Sequence, residues 1–158
     1  MADIVEEILN RVQDHAAALG YFEAVNGHEP KRAPQTGGLT AAVWLDRISP
    51  VLSSGLASTT VRVTVQGRIY TSMLAEPQDA IDPVMSRALT EWFAVLVDDL
   101  QLRGPADAAP LLRTIDVRGI HGVPLDAVAG YVEQDRKLFR VYTITIPCIV
   151  NDLFPEAQ

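Results

Sequence analysis

The side chains that could do chemistry in this chain are few and far apart in sequence. Its three histidines are His15, His28 and His121. His28-Glu29 together with His121 has the composition of a two-histidine, one-carboxylate metal site. No HxH or HExxH spacing puts two ligands on one element, so the expectation is solvated loop histidines and no metal. Ser53-Ser54-Gly55 lacks the G-x-S-x-G form, and no strand-to-helix elbow follows it to expose a nucleophile. The single cysteine, Cys148, lies in an apolar run beside Pro147, where a buried, inert thiol is expected. Gly37-Gly38 and Gly119-x-x-Gly122 do not link a strand to a helix start, so neither makes a phosphate cradle or a dinucleotide fingerprint. Of the carboxylate pairs, Asp79 and Asp82 suit a turn and a helix cap, and Asp98-Asp99 diverge on a helix. General acid–base work needs convergent groups with split pKa values, and this pattern offers none. The reading therefore assigns no catalytic residue, no metal and no cofactor, and expects a protein that is not an enzyme.

What stays unexplained suits binding better than catalysis. It comprises two loops, His28–Gly38 (HEPKRAPQTGG) and Arg118–Pro124 (RGIHGVP), and one apolar sheet face. The first loop carries the densest basic dipeptide, Lys31-Arg32; the second carries His121.

Composition narrows the partners. Thirteen basic and 20 acidic residues give a net charge of −7. Nucleic-acid and membrane-surface binders need a cationic footprint, so neither a membrane nor a sequence-specific nucleic acid is expected. One cysteine excludes an intramolecular disulfide and any cysteine-rich zinc site. No run reaches 18 uncharged apolar residues, and the start of the chain shows no basic-then-apolar signal pattern. These features predict a soluble product made in the cytoplasm. The mean hydropathy of +0.13 is nonetheless high for a soluble domain, which points to apolar surface awaiting cover.

The elements that must position these residues follow from periodicity. Ile4, Val5, Ile8, Leu9, Val12, Ala16 and Leu19 recur at three and four, predicting a helix over 3–19 that ends at Gly20. Strands are predicted at Tyr21–Val25, Thr40–Ile48 and Thr59–Leu74, the last with a bulge or bend at Gly67. Asp82 before Pro83 predicts a capped helix over 82–102, with Val84, Met85, Ala88, Leu89, Trp92, Phe93, Leu96, Val97 and Leu100 inward. A strand at Leu111–Val117 and a C-terminal hairpin over about 125–148 complete the list. In that hairpin's second strand, Leu138, Tyr142, Ile144 and Ile146 lie on one side and Phe139, Val141, Thr143 and Thr145 on the other. A strand apolar on both faces is usually covered on both. The expected fold is α+β, one domain over 1–158, with a mainly antiparallel sheet and two helices packed on one face. A partner subunit, or a folded-over part of the same chain, would cover the other face.

Three stretches bear a resemblance to a known family: His28–Trp44 (HEPKRAPQTGGLTAAVW), Ser54–Pro83 (SGLASTTVRVTVQGRIYTSMLAEPQDAIDP) and Ala129–Phe154 (AGYVEQDRKLFRVYTITIPCIVNDLF). Together they resemble the tail terminator proteins of long-tailed bacteriophages of actinobacterial hosts. The resemblance implies a virion component, assembled in the host cytoplasm, that forms a hexameric ring. Such a ring caps the finished tail tube, stops its polymerisation and offers the docking surface for the head connector. It implies the major tail tube protein and a neck protein as partners, and no catalytic constellation. The readings beside it are a head-completion or connector neck protein, and a cytoplasmic small-ligand-binding α+β domain using the His28 and His121 loops. On the terminator reading, Phe139, Val141 and Thr143 are expected at the contact between subunits. Lys31, Arg32 and His121 are expected to meet the tube or the connector.

Overall fold

The computed structural model describes residues 4–27, 39–51, 60–72, 81–103, 112, 114–134 and 136–151. The loop over 28–38, with Lys31 and Arg32, lies outside them. Helix α1 spans Ile4–Ala18, with Ile8, Val12 and Ala16 fully buried at a spacing of four. Gly20 takes a positive φ of 79° just beyond it, the left-handed position that glycine fills without strain.

Helix α2 spans Ile81–Asp98 and buries Ile81, Met85, Ala88, Trp92 and Leu96. Val84 and Val97, expected inward, are exposed because the apolar stripe is wider than the contact beneath it. Asp82 is not a cap but sits within the first turn, where its Oδ1 accepts from Arg140 Nε at 2.9 Å. Pro83 still fits, since first-turn amides have no helical acceptor to lose. The helix also stops short of the predicted residue 102. Leu102 N donates to Asp99 O at 2.9 Å with φ of 51° at Leu102, and the Leu100 and Gln101 carbonyls are taken by Ile115 N and Leu112 N. Those bonds to a distant segment replace further helix.

The sheet has six strands: β1 Phe22–Asn26, β2 Leu39–Pro50, β3 Thr60–Ser72, β4 Thr114–Ile115, β5 Asp126–Gln134 and β6 Lys137–Asn151. Their order is β1-β2-β3-β6-β4, and β5 shares with β4 the outer side of β6. All pairs are antiparallel except β1 with β2, which run parallel. Residues 27–38 between them are long enough for the crossover that a parallel pair requires.

The predicted irregularity at Gly67 is absent: β3 pairs with β6 without a break from Thr60↔Asn151 to Ser72↔Phe139. Gly67 is there for packing, since a Cβ would stand 3.0 Å from the ring of Trp92. The register shift falls instead in β2, between Leu45 and Arg47. Of the strand expected at Leu111–Val117, the described residues show the two of β4, and the chain turns into a loop at Asp116; 111 and 113 lie outside the described residues.

Alternation sorts the side chains into two clusters. Leu39, Ala41 and Val43 of β2, Val61, Val63, Val65 and Ile69 of β3, and Ile144, Ile146, Cys148 and Val150 of β6 form one core with both helices. This is the α+β arrangement with its helices against one sheet face. On the opposite face Ala42, Tyr70, Phe139 and Val141 form a smaller buried cluster, with Trp44 and Val132 packed against it.

Candidate assembly surface

Immediately after β4 the chain builds a loop from main-chain and carboxylate hydrogen bonds. Asp116, 4% exposed, accepts from Ile120 N on Oδ1 and from His121 N on Oδ2, both at 2.9 Å. Its own N–H donates to Pro147 O at 2.9 Å, and Leu125 N closes the loop onto Val117 O at 3.1 Å. A buried carboxylate is costly unless it is hydrogen-bonded, and the two amides supply that. Gly119 and Gly122 take positive φ of 74° and 113°, and a Cβ on Gly119 would stand 2.9 Å from Pro124 N. From the sheet, Arg62 Nη1 donates to His121 O at 2.8 Å. The loop is thus held from two sides, and its tip presents Ile120 at 80% exposure.

The neighbouring strand β5 also offers apolar groups to water. It pairs only with β6 among the described residues, and Val128 is 65% and Tyr131 59% exposed along it. Leu138, at the start of β6, is exposed as well. Arg140 braces this hairpin: its guanidinium lies 4.6 Å from the centre of the Tyr131 ring and 5.7 Å from that of Tyr142, and it pairs with Asp82. An edge strand with exposed apolar side chains is a surface that natural sheets usually cover.

The residues expected at subunit contacts lie on β6, the strand paired with β5, where Thr143 stands opposite Val128. Phe139 and Val141 are buried within the chain's own second cluster and present no surface in the single chain. Thr143 is half-buried, its hydroxyl accepting from Arg68 Nε at 3.0 Å. Arg68 also stacks over Trp44, 5.3 Å from that ring's centre. His121 is half-buried and is held through its main chain. Sequence reasoning singled out the loop but missed Asp116, Arg62 and Ile120. A signal for Asp116 was present, since aspartate side chains commonly bond nearby main-chain amides in turns.

The ionisable groups serve local structure. His15 Nε2 lies 2.8 Å from Asp99 Oδ2, and Arg11 Nη1 donates to the Leu102 carbonyl, joining α1 to the end of α2. Tyr21 donates to Glu91 Oε1 at 2.8 Å, a bond that holds its phenol above the ordinary value. Burial raises Tyr142, and burial pushes the Cys148 thiol up to about 12. Among the described residues no three His, Cys, Asp or Glu side chains gather as metal ligands; His28 and Glu29 lie outside them. Among the described residues no helix is long and apolar enough to cross a membrane.

No family model and no curated protein matches this chain. Among solved structures it is similar to the PVC sheath/tube terminator, in the extended state, of an extracellular contractile injection system. The identity is 16% and the TM-score 0.34, over 93% of this chain and 57% of the other. The chain thus spans little more than half of that neighbour's length.

Proposed function

We propose that this chain is a structural tail component, a terminator that assembles as a ring on the end of a tail tube and presents the surface on which a head connector docks. The observation that carries an assembly role is the ordered apolar exposure at one edge of the sheet: Ile120 on a loop closed by Asp116, and Val128 and Tyr131 on edge strand β5. Apolar groups held on rigid elements lose little entropy on docking. The terminator assignment is supported by the likeness of His28–Trp44, Ser54–Pro83 and Ala129–Phe154 to that family. On this reading the subunit contact lies along β5 and the Ile120 loop, and Lys31 and Arg32 meet an acidic face of the tube or connector.

Negative-stain microscopy of the protein, alone and with tail tubes, tests the proposal. Rings at tube ends, and tubes that cease to lengthen, are the expected result. Tubes that keep bare ends and go on growing at saturating protein would overturn it.

A further inference from the structure

The loop that displays Ile120 and the end of α2 lie on opposite sides of the same region of the sheet. Arg62 stands between the core residues Val61 and Val63, so it points away from the helices, and the loop it binds lies on that side. Helix α2 lies on the other side, with Trp92 against Gly67. At its C-terminal end is a pocket of about 360 Å³ lined by Val97, Asp98, Asp99, Leu100, Gln101, Arg103 and Thr114.

The two features match in chemistry. Val97, 46% exposed, supplies an apolar wall for an isoleucine. Asp98 is exposed beside it, and the last turn of α2 has no basic residue to offset the negative end of the helix dipole. Within the pocket Asp99 already bonds His15 and the Arg103 amide, and the Arg103 guanidinium bonds Gln101. Among the described residues Asp98 has no such bond and is left to face an incoming cation. The Ile120 loop carries one in Arg118, which is exposed two residues before Ile120.

We infer that the occupant of this pocket is a second copy of the chain, with Ile120 of one copy against Val97 of the next and Arg118 against Asp98. This rests on the ring reading and specifies its contact. Two different patches on opposite sides make a head-to-tail interface, which closes into a ring when the rotation allows; a two-fold contact would instead set one patch against the same patch of its partner.

Cysteine pairing decides it. Ile120→Cys and Val97→Cys are made separately; both sites are exposed, and the native Cys148 is buried. Under mild oxidation of assembled rings, the mixture of the two variants should yield a disulfide-linked dimer that neither variant yields alone. In parallel, Arg118→Glu should raise the concentration needed for assembly roughly tenfold, and adding Asp98→Arg should restore it. Rings that form while the mixture stays unlinked, or while Ile120→Cys links to itself, would overturn the contact and leave the terminator reading standing. Absence of rings both in solution and on tubes would remove that reading, and this contact with it.

Discussion

Arg62 on β3 donates to the main-chain carbonyl of His121 at 2.8 Å, tying the sheet to a loop 59 residues further along the chain. The same loop is held from below by Asp116. Asp116→Asn replaces one acceptor by a donor facing an amide, so it should cost about 1–3 kcal/mol. Urea denaturation measures that loss, and hydrogen exchange should show the Ile120 and His121 amides opening faster than in the parent protein.

Gly67 faces the Trp92 ring, and a methyl group there would stand 3.0 Å from Cη2, so the ring must give way slightly. Gly67→Ala should cost about 1–3 kcal/mol through overpacking. Trp92→Phe should relieve part of that cost, so the double variant should be more stable than the sum of the single losses predicts. A double-mutant cycle of thermal melts reads the coupling.

Phe139 is 2% exposed in the single chain. Phe139→Ala should therefore destabilise the unassembled protein by about 3–5 kcal/mol. Tyr131→Ser, at an exposed site on β5, should leave the melting temperature within a few degrees while weakening assembly. Comparing melts with light scattering separates the two effects.

Burial holds the Cys148 thiol neutral, raised from 9.0 to about 12. At pH 8 it should resist a thiol reagent until the chain is unfolded in denaturant, then react once per chain. The linkage has a definite sign. Stability from the buried neutral thiol is complete below pH 9 and is lost as pH rises toward 12, because only the unfolded chain releases the proton in that window. The decline should be about 1 kcal/mol per pH unit, and Cys148→Ala should remove it.

Much of the fold was legible locally. The spacing of Ile8, Val12 and Ala16 marks the buried face of α1, and the alternation of Val61, Val63 and Val65 marks that of β3, because each pattern is set by the geometry of its own element. Gly67 was legible as special but not in kind: a bulge and a tryptophan beneath it leave the same residue in sequence, and only the register distinguishes them. The candidate surface was half legible. The loop over 118–124 stood out for its glycines, whereas Ile120 and Val97 had no mark to say that one would be at a tip and the other at the rim of a pocket.

The amino-acid sequence by itself determined the element types, which depend on neighbours a few residues apart, and, as totals of its composition, the acidic balance, the single cysteine and the apolar surplus. The tertiary structure decided which apolar residues are spent in the core, as Phe139 and Val141 are, and which are left to water, as Ile120 and Val128 are. It also decided that β5 pairs only with β6 among the described residues and that β1 joins β2 in parallel. The reason is physical: burial is fixed by contacts between segments distant in sequence, such as Arg62 with His121 or Gly67 with Trp92, and periodicity carries no information about which distant segment will arrive.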